Sequence, residues 1–189
     1  LAYARLSGAP IYIHEGAAHT ATQILAQSQR IRDRHGLDLV VIDYLQLMNG
    51  PKRENRTQEI SAISRGLKEA AKELNVPVIA VSQLNRAAED HETPRLSDLR
   101  ESGQIEQDAD VVAFLWREKA AGAGRHPGRG GAPVAAADSH SPIIETNLSI
   151  EKQRNGPTGR MKLAFHREHC RFYELDSAPS LLPQENEFE

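Results

Sequence analysis

The chain has 189 residues, 39% of them hydrophobic, and a formal net charge of −3. This size predicts one ordinary domain with a hydrophobic core and tails, and excludes two large domains. Because the net charge is negative, the chain as a whole does not attract nucleic acid, so any contact with nucleic acid must come from local loops. Cys170 is the only cysteine, which excludes an internal disulfide and a cysteine-rich zinc site.

We expect no targeting signal at the start of the sequence. No apolar run approaches the ~18 residues that a membrane span needs, and residues 1–6 lack the basic and apolar regions of a signal peptide. We therefore expect a cytoplasmic protein with no membrane partner. The first residue is Leu1 rather than Met and the sequence opens in what reads as the middle of a helix, so we expect that an upstream part is missing.

The first elements are a short strand and a helix. Residues 11–13 (IYI) are a strand-like run. Thr20 and Gln23 then have the spacing of a capping box, followed by apolar residues and a stopping Gly36. This pattern predicts a helix of about four turns over residues 20–36.

Apolar runs typical of buried strands follow, separated by a helix and loops. Residues 39–42, 76–81 and 110–116 are such runs, and strands of this kind belong to parallel sheets, where both faces are buried. Between the first two runs, apolar residues recur at helical spacing over residues 60–74. The order of strand, helix, strand, loop and strand predicts an α/β fold.

The last third of the chain changes in composition. Residues 119–142 are rich in Ala, Gly and Pro, which predicts a flexible insert. Alternating apolar residues on both sides of a turn at 154–159 predict a β-hairpin with a projecting tip, and residues 171–175 a further strand. The predicted segments are a partial core (1–118), the insert (119–142), the hairpin and strands (143–176) and a disordered tail (177–189).

Polar residues follow the first two buried runs, at the sheet edge where α/β proteins bind ligands. The carboxylate of Asp43 can hold the Mg²⁺ of a bound nucleotide through its water shell, although many strands end in Asp as a turn residue. Gln83 can hydrogen-bond a terminal phosphate or an attacking water, or it can be an ordinary turn former. Core packing does not explain Tyr44 and Gln46 after Asp43.

Four longer strings occur in a distinctive order: residues 41–48 (VIDYLQLM), 81–86 (VSQLNR), 98–110 (DLRESGQIEQDAD) and 152–159 (KQRNGPTG). Together they resemble the DnaB family of replicative DNA helicases over most of the chain. The resemblance implies a RecA-like three-layer fold with a mostly parallel central sheet that a C-terminal β-hairpin extends. It also implies an enzyme that uses ATP and Mg²⁺, forms a homo-hexamer, translocates on single-stranded DNA and unwinds duplex DNA, with a primase and a helicase loader as partners.

The same resemblance implies roles for individual residues. Asp43 corresponds to the Walker B aspartate and Gln83 to the residue that senses the γ-phosphate. Lys152 and Arg154 reach into the nucleotide site of the neighbouring subunit, where Arg154 acts as an arginine finger. If the finger works in trans, an isolated subunit has no complete active site.

Two loops are candidates for contact with DNA. By resemblance, Arg100, Glu101 and Gly103 line the central channel; Arg100 offers a phosphate contact, and Gly103 lets backbone amides approach the strand. A second basic loop carries Arg53 and Arg56. Residue chemistry alone favours solvated charges at both loops.

The sequence departs from the family in lacking a Gly-x-x-x-x-Gly-Lys-Ser/Thr phosphate loop. By the same comparison, we expect the upstream catalytic glutamate and the primase-binding domain to be missing, so that the core lacks its N-terminal part and exposes apolar surface. The insert at 120–142 is not a family motif. We therefore expect a fragment of a bacterial or phage nucleoid-associated helicase that is inactive alone.

Two alternatives remain open. One is a RecA-like recombination or clock-type ATPase, which the strings at 98–110 and 152–159 disfavour. The other is a non-catalytic DNA-binding or assembly subunit that lends Arg154 to a competent neighbour, which the missing phosphate loop favours. Nucleotide binding by the purified chain counts against the second alternative.

Overall fold

A computed structural model describes residues 8–16, 19–51, 55–85, 93–99, 103–118 and 142–175. The chain divides into two compact units, Leu1–Gln83 and Leu84–Glu189. The predicted insert at 119–142, apart from Pro142, and the predicted tail at 177–189 lie outside the described residues.

The first unit combines a parallel strand pair with two helices. Its elements are α1 (Ala21–His35), β1 (Val40–Ile42), a 3₁₀ turn (Leu45–Leu47), α2 (Arg56–Leu74) and β2 (Val78–Ala80). The strands β1 and β2 are parallel neighbours, and α1 packs against α2. The predicted alternation of strands and helices is confirmed in this unit.

The capping box predicted at the start of α1 is present. The backbone N–H of Gln23 donates to Thr20 Oγ1 over 3.2 Å, and the backbone N–H of Thr20 donates to Gln23 Oε1 over 2.9 Å. After the helix, Gly36 has a φ of 82°, a value that glycine adopts without the steric cost other residues meet. The predicted ends of this helix are therefore confirmed.

The core of the first unit lies along α2. Ala71, also predicted for its inner face, is partly exposed, whereas the other apolar residues predicted there are buried, with Ile60 fully shielded from solvent. These residues are Ile60, Ile63, Leu67, Ala70 and Leu74. Because α2 packs against β2 and the 3₁₀ turn, this unit buries one apolar layer between its helices and its strands.

The prediction that β1 and β2 are buried on both faces is wrong for the described part of this unit. Ile42 is buried, but Val41 and its register partner Ile79 are 58% and 53% exposed. Successive side chains of a strand point to opposite faces, and no described helix of the unit covers the face that carries Val41. The apolar runs therefore identified the strands correctly but not their burial.

The strand predicted for residues 11–13 is also wrong. These residues have no strand partner among the described parts of the chain, and the N–H of Ile11 closes a turn onto the carbonyl of Ala9 over 2.8 Å. Ile13 is 81% exposed. A run of three apolar residues does not form a strand when no neighbouring strand supplies hydrogen bonds.

The second unit contains a short helix followed in the chain by an antiparallel sheet. Its elements are a 3₁₀ turn (Leu96–Asp98), α3 (Gly103–Asp108), β3 (Val111–Trp116), β4 (Ile143–Gln153), β5 (Gly159–His166) and β6 (Arg171–Glu174). The sheet order is β3-β4-β5-β6, and every neighbouring pair is antiparallel. The predicted hairpin is β4–β5, and the predicted further strand is β6.

The strand β3 differs from its prediction as a strand of a parallel sheet. It pairs antiparallel with β4, and its side chains alternate between buried and exposed. Val112 and Phe114 are buried, whereas Val111 and Leu115 are more than half exposed. Antiparallel sheets commonly bury one face only, which is the pattern β3 has here.

Within the described ranges, no helix combines the length and the apolar character that a bilayer crossing requires.

Candidate functional site

Asp43 and Gln83 lie just beyond the carboxyl ends of neighbouring strands. Ile42 and Ala80 are register partners, and the N–H of Val81 donates to the carbonyl of Ile42 over 2.9 Å. Both site residues follow these strand ends and both are exposed. The fold therefore brings the predicted Walker B aspartate and the predicted γ-phosphate sensor to one edge of the parallel pair.

The side chain of Gln46 joins the two strand ends. Its Nε2 donates to Ser82 Oγ over 3.0 Å, and its Oε1 accepts from the backbone N–H of Gln83 over 3.4 Å. The N–H of Leu45 also donates to the carbonyl of Val81 over 2.9 Å. The sequence showed that core packing does not explain Gln46. It did not reveal that the side-chain amide bonds Ser82 and the backbone of Gln83.

Arg56, predicted to contact DNA, is the first residue of α2 and is tied to the same edge. Its Nη2 donates to the carbonyl of Gln46 over 2.7 Å, and its Nη1 lies 2.6 Å from Glu59 Oε2. Glu59 Oε1 accepts from the N–H of Gly50 over 2.9 Å. The hydrogen bond from Arg56 and then the one from Gly50 hold the pKa of Glu59 below its ordinary value. Arg56 thus braces the loop after β1, and its contact with DNA stays a prediction.

The edge of β1 and β2 that carries Asp43 provides few side-chain ligands for a cation. Among the residues that the structure describes, no group of three or more His, Cys, Asp or Glu side chains converges on one point. Mg²⁺ is commonly held by one or two carboxylates together with water and nucleotide phosphates rather than by a full protein cage. A single exposed carboxylate at Asp43 fits a water-mediated contact of this kind.

Lys152 and Arg154 lie at the end of β4, against the last turn of α3. Arg154 Nη1 is 3.3 Å from Asp110 Oδ1, and Nη2 donates to the carbonyl of Gln107 over 3.2 Å. Lys152 Nζ donates to the carbonyl of Glu106 and, over 3.4 Å, to that of Gln107. The fold therefore brings the two predicted finger residues to the end of α3, although their partners there lie 45 to 47 positions away in the sequence.

These contacts satisfy carbonyl groups that a helix leaves without internal donors at its C-terminal end. Cations are also stabilised at that end by the helix dipole. Sequence reasoning did not find this role of Glu106, Gln107 and Asp110, because no local pattern connects them to the hairpin.

The remaining predicted DNA residues are only partly described. Gly103 is the first residue of α3 and is exposed. Arg53, Arg100 and Glu101 lie outside the described residues.

Comparison with known proteins identifies the family. Residues 1–174 match the family described as the DnaB-like helicase C terminal domain. The chain is 47% identical over 175 residues to the replicative DNA helicase DnaB of Leifsonia xyli subsp. xyli, covering 90% of this chain and 35% of that protein. It is 45% identical over 181 residues to the replicative DNA helicase DnaB of Geobacillus stearothermophilus, covering 93% and 36%. The chain thus spans 35–36% of the length of these curated relatives.

Two solved structures are similar to the fold. One is a DnaB-like replicative helicase described with its interactions with primase, at a TM-score of 0.75 and 37% identity, covering 92% of this chain and 39% of that chain. The other is described as an ATPase domain, at a TM-score of 0.75 and 38% identity, covering 92% of this chain and 58% of that chain. These matches confirm the predicted RecA-like α/β fold class and do not support the recombination or clock-type alternative. The chain belongs to the DnaB-like helicase C-terminal domain family.

Proposed function

We propose that this chain is the C-terminal ATPase part of a replicative DNA helicase, which couples ATP hydrolysis in a hexameric ring to translocation on single-stranded DNA. The observation that carries the proposal is the arrangement of Asp43 and Gln83 at one edge of β1 and β2, with Gln46, in the loop after β1, bonded to Ser82 and Gln83 after β2. Membership of the DnaB-like family supports it.

In this proposal the edge of the parallel pair is one wall of the nucleotide site. Asp43 would hold Mg²⁺ through its water shell, and the bound metal would neutralise charge on the phosphate oxygens. Gln83 contacts the γ-phosphate or the attacking water, so its contacts differ between ATP and ADP. Gln46 keeps the backbone of Gln83 in place through its amide oxygen.

The hairpin acts on a neighbouring subunit. Lys152 and Arg154 project towards the γ-phosphate bound there, and the Arg154 guanidinium stabilises the charge that develops during transfer. The ring is therefore required for hydrolysis.

Single-stranded DNA lies against the predicted channel loops. Gly103 allows a close backbone approach, and Arg100, Glu101, Arg53 and Arg56 supply polar and charged side chains near the strand. For the whole protein we propose a primase and a helicase loader as partners. One structural relative is described with its interactions with primase.

A chimaera tests the proposal. The matching C-terminal part of the Geobacillus stearothermophilus relative is replaced by this chain, and Mg²⁺-dependent ATP hydrolysis is measured with and without single-stranded DNA. We expect no hydrolysis by the chain alone, because its sequence has no phosphate loop, and DNA-stimulated hydrolysis by the chimaera. Arg154→Ala in the chimaera is expected to lower kcat by at least ~100-fold.

Arg160→Ala is the matched control, because Arg160 is an exposed arginine of the same hairpin with its own ion pair to Glu151 at 3.0 Å. We expect it to leave hydrolysis within about twofold of the unsubstituted chimaera. Hydrolysis by the chain alone, or an Arg154→Ala chimaera as active as the Arg160→Ala chimaera, contradicts the proposal. A correctly assembled chimaera that binds DNA without hydrolysing ATP favours the non-catalytic subunit instead.

A further inference from the structure

Two histidines that precede α1 lie against each other, and the side chain of Gln27 in the second turn of α1 lies beside them. We propose that His14 and His19 bind a divalent transition-metal ion of the Zn²⁺ class through their Nε2 atoms. This site is separate from the Mg²⁺ proposed at Asp43 and is independent of the proposed function.

The two Nε2 atoms border the same space beside the backbone of Gly16. A Cβ atom added to Gly16 would overlap Nε2 of His19 and would lie 2.9 Å from Nε2 of His14. Because residue 16 is glycine, no side chain of its own fills this space. An ion bound by imidazole lies about 2.0–2.1 Å from each nitrogen, so an ion placed here reaches both histidines after a small adjustment of their side chains.

The orientation of the two rings also suits a shared ion. The ring centroids of His14 and His19 are 4.5 Å apart and the ring planes are tilted by 58°. The lone pair of an imidazole nitrogen lies in the plane of its ring, so an ion shared by two imidazoles must lie where the planes meet. A second histidine pair, His166 and His169, is stacked at 4.3 Å with planes only 6° apart, and such planes do not meet near the rings. The first pair can therefore share one ion, whereas the second cannot.

The ring nitrogen of His19 lacks a partner that an ion would supply. In the part of the chain that the structure describes, His19 Nε2 is shielded from solvent and accepts or donates no hydrogen bond. A polar atom in this position is commonly satisfied by a water molecule or an ion. The Gln27 amide lies beside the other nitrogen, with its Nε2 3.4 Å from His14 Nε2. After rotation of this amide, its oxygen can accept a hydrogen bond from a water molecule bound to the ion.

The chemistry of the two ligands determines the class of metal. Imidazole suits Zn²⁺, Ni²⁺ and Cu²⁺, whereas Mg²⁺ and Ca²⁺ prefer oxygen ligands. A bound ion would join His14 to His19 and so fix the segment that enters α1. The carbonyl of His19 accepts the N–H of Asn49 over 3.1 Å, so this segment is also bonded to the loop after β1. Binding of the ion is therefore expected to stabilise the first unit.

Titration of the purified chain with Zn²⁺ tests the proposal. Calorimetry measures the affinity, and nitrogen–proton correlation spectra of the histidine side chains identify the nitrogens that bind. We expect the Nε2 resonances of His14 and His19 to shift together at a ratio of about one ion per chain, and an excess of Mg²⁺ to leave them unchanged. We also expect Zn²⁺ in about tenfold excess over its Kd to raise the thermal midpoint by roughly 3–5 °C.

Substitution of each ligand provides the second measurement. Partners outside the ligand shell of a metal site contribute about 10- to 100-fold to affinity, so His14→Gln and His19→Gln are each expected to weaken Zn²⁺ binding by at least about 10-fold. His169→Gln is the matched control, because His169 is an exposed histidine of the stacked pair, and it should leave the affinity within about twofold.

Several results would overturn the proposal. They are a shift of only one of the two histidines at about equimolar Zn²⁺, a shift of the His166 and His169 resonances instead, and the absence of any shift. An affinity that His169→Gln lowers as much as His19→Gln would do the same. Circular dichroism checks that each variant folds, and the spectra of the unsubstituted chain decide the question if one does not.

Discussion

At the scale of single residues, Glu59 shows how two donors decide the ionisation of one carboxylate. The Arg56 guanidinium and then the Gly50 N–H lower the pKa of Glu59 below its ordinary value of 4.5. A group whose pKa is lower in the folded state than in the unfolded state stabilises the fold at pH values above its unfolded-state pKa. That contribution is lost as the pH falls through the folded value.

We therefore predict that Glu59→Gln lowers the free energy of unfolding by roughly 1 kcal/mol at pH 7, since the charged hydrogen bond is lost. The difference from the unsubstituted chain is expected to be smaller at pH 3 than at pH 7, because the contribution of the charge is lost as the pH falls from 4.5 through the lowered pKa of Glu59. Urea unfolding of both proteins at pH 7 and at pH 3 measures this difference in the free energy of unfolding. Glu69→Gln, on an exposed position of α2, is the control and should show less than about 0.5 kcal/mol. A deficit of equal size at pH 7 and pH 3 contradicts the role of the charge.

At the scale of elements, the start of α1 depends on one hydroxyl group. Thr20 Oγ1 accepts the N–H of Gln23, a donor in the first turn that no carbonyl of the helix reaches. We predict that Thr20→Ala costs about 1 kcal/mol of unfolding free energy, whereas Thr20→Ser, which keeps the hydroxyl, costs less than about half of that. Chemical denaturation followed by circular dichroism distinguishes the two variants. Equal losses for Ala and Ser show that the methyl group, and not the cap, stabilises the helix.

At the scale of the whole molecule, a finger that acts in trans predicts complementation between two inactive proteins. One chimaera carries Arg154→Ala, and the other has its phosphate-loop lysine replaced in the part taken from the relative. The two proteins are mixed in equal amounts before assembly. If subunits combine at random, about a quarter of the interfaces have both an intact phosphate loop and an Arg154 from the neighbour. We therefore expect up to about a quarter of the unsubstituted hydrolysis rate where each protein alone has almost none. A mixture as inactive as its components shows that the finger does not act across the interface.

The sequence by itself determined the elements whose signals are local. The helical spacing of apolar residues identified α2, the Thr20 and Gln23 pair identified the start of α1, and turn residues identified the hairpin, because each pattern reflects contacts between residues near in the chain. The apolar runs before Asp43 and Gln83 also placed these two residues after strand ends, where the structure has them.

The tertiary structure decided what depends on partners far along the chain. The apolar composition of residues 11–13 and of β1 could not reveal which neighbours would cover them, and the sequence of β3 did not disclose its antiparallel partner. Gln46 meets Ser82 across 36 positions and Arg154 meets Gln107 across 47. Such pairings arise only when the whole fold brings distant segments together, since periodicity and capping report the local conformation of the backbone and not what lies opposite it.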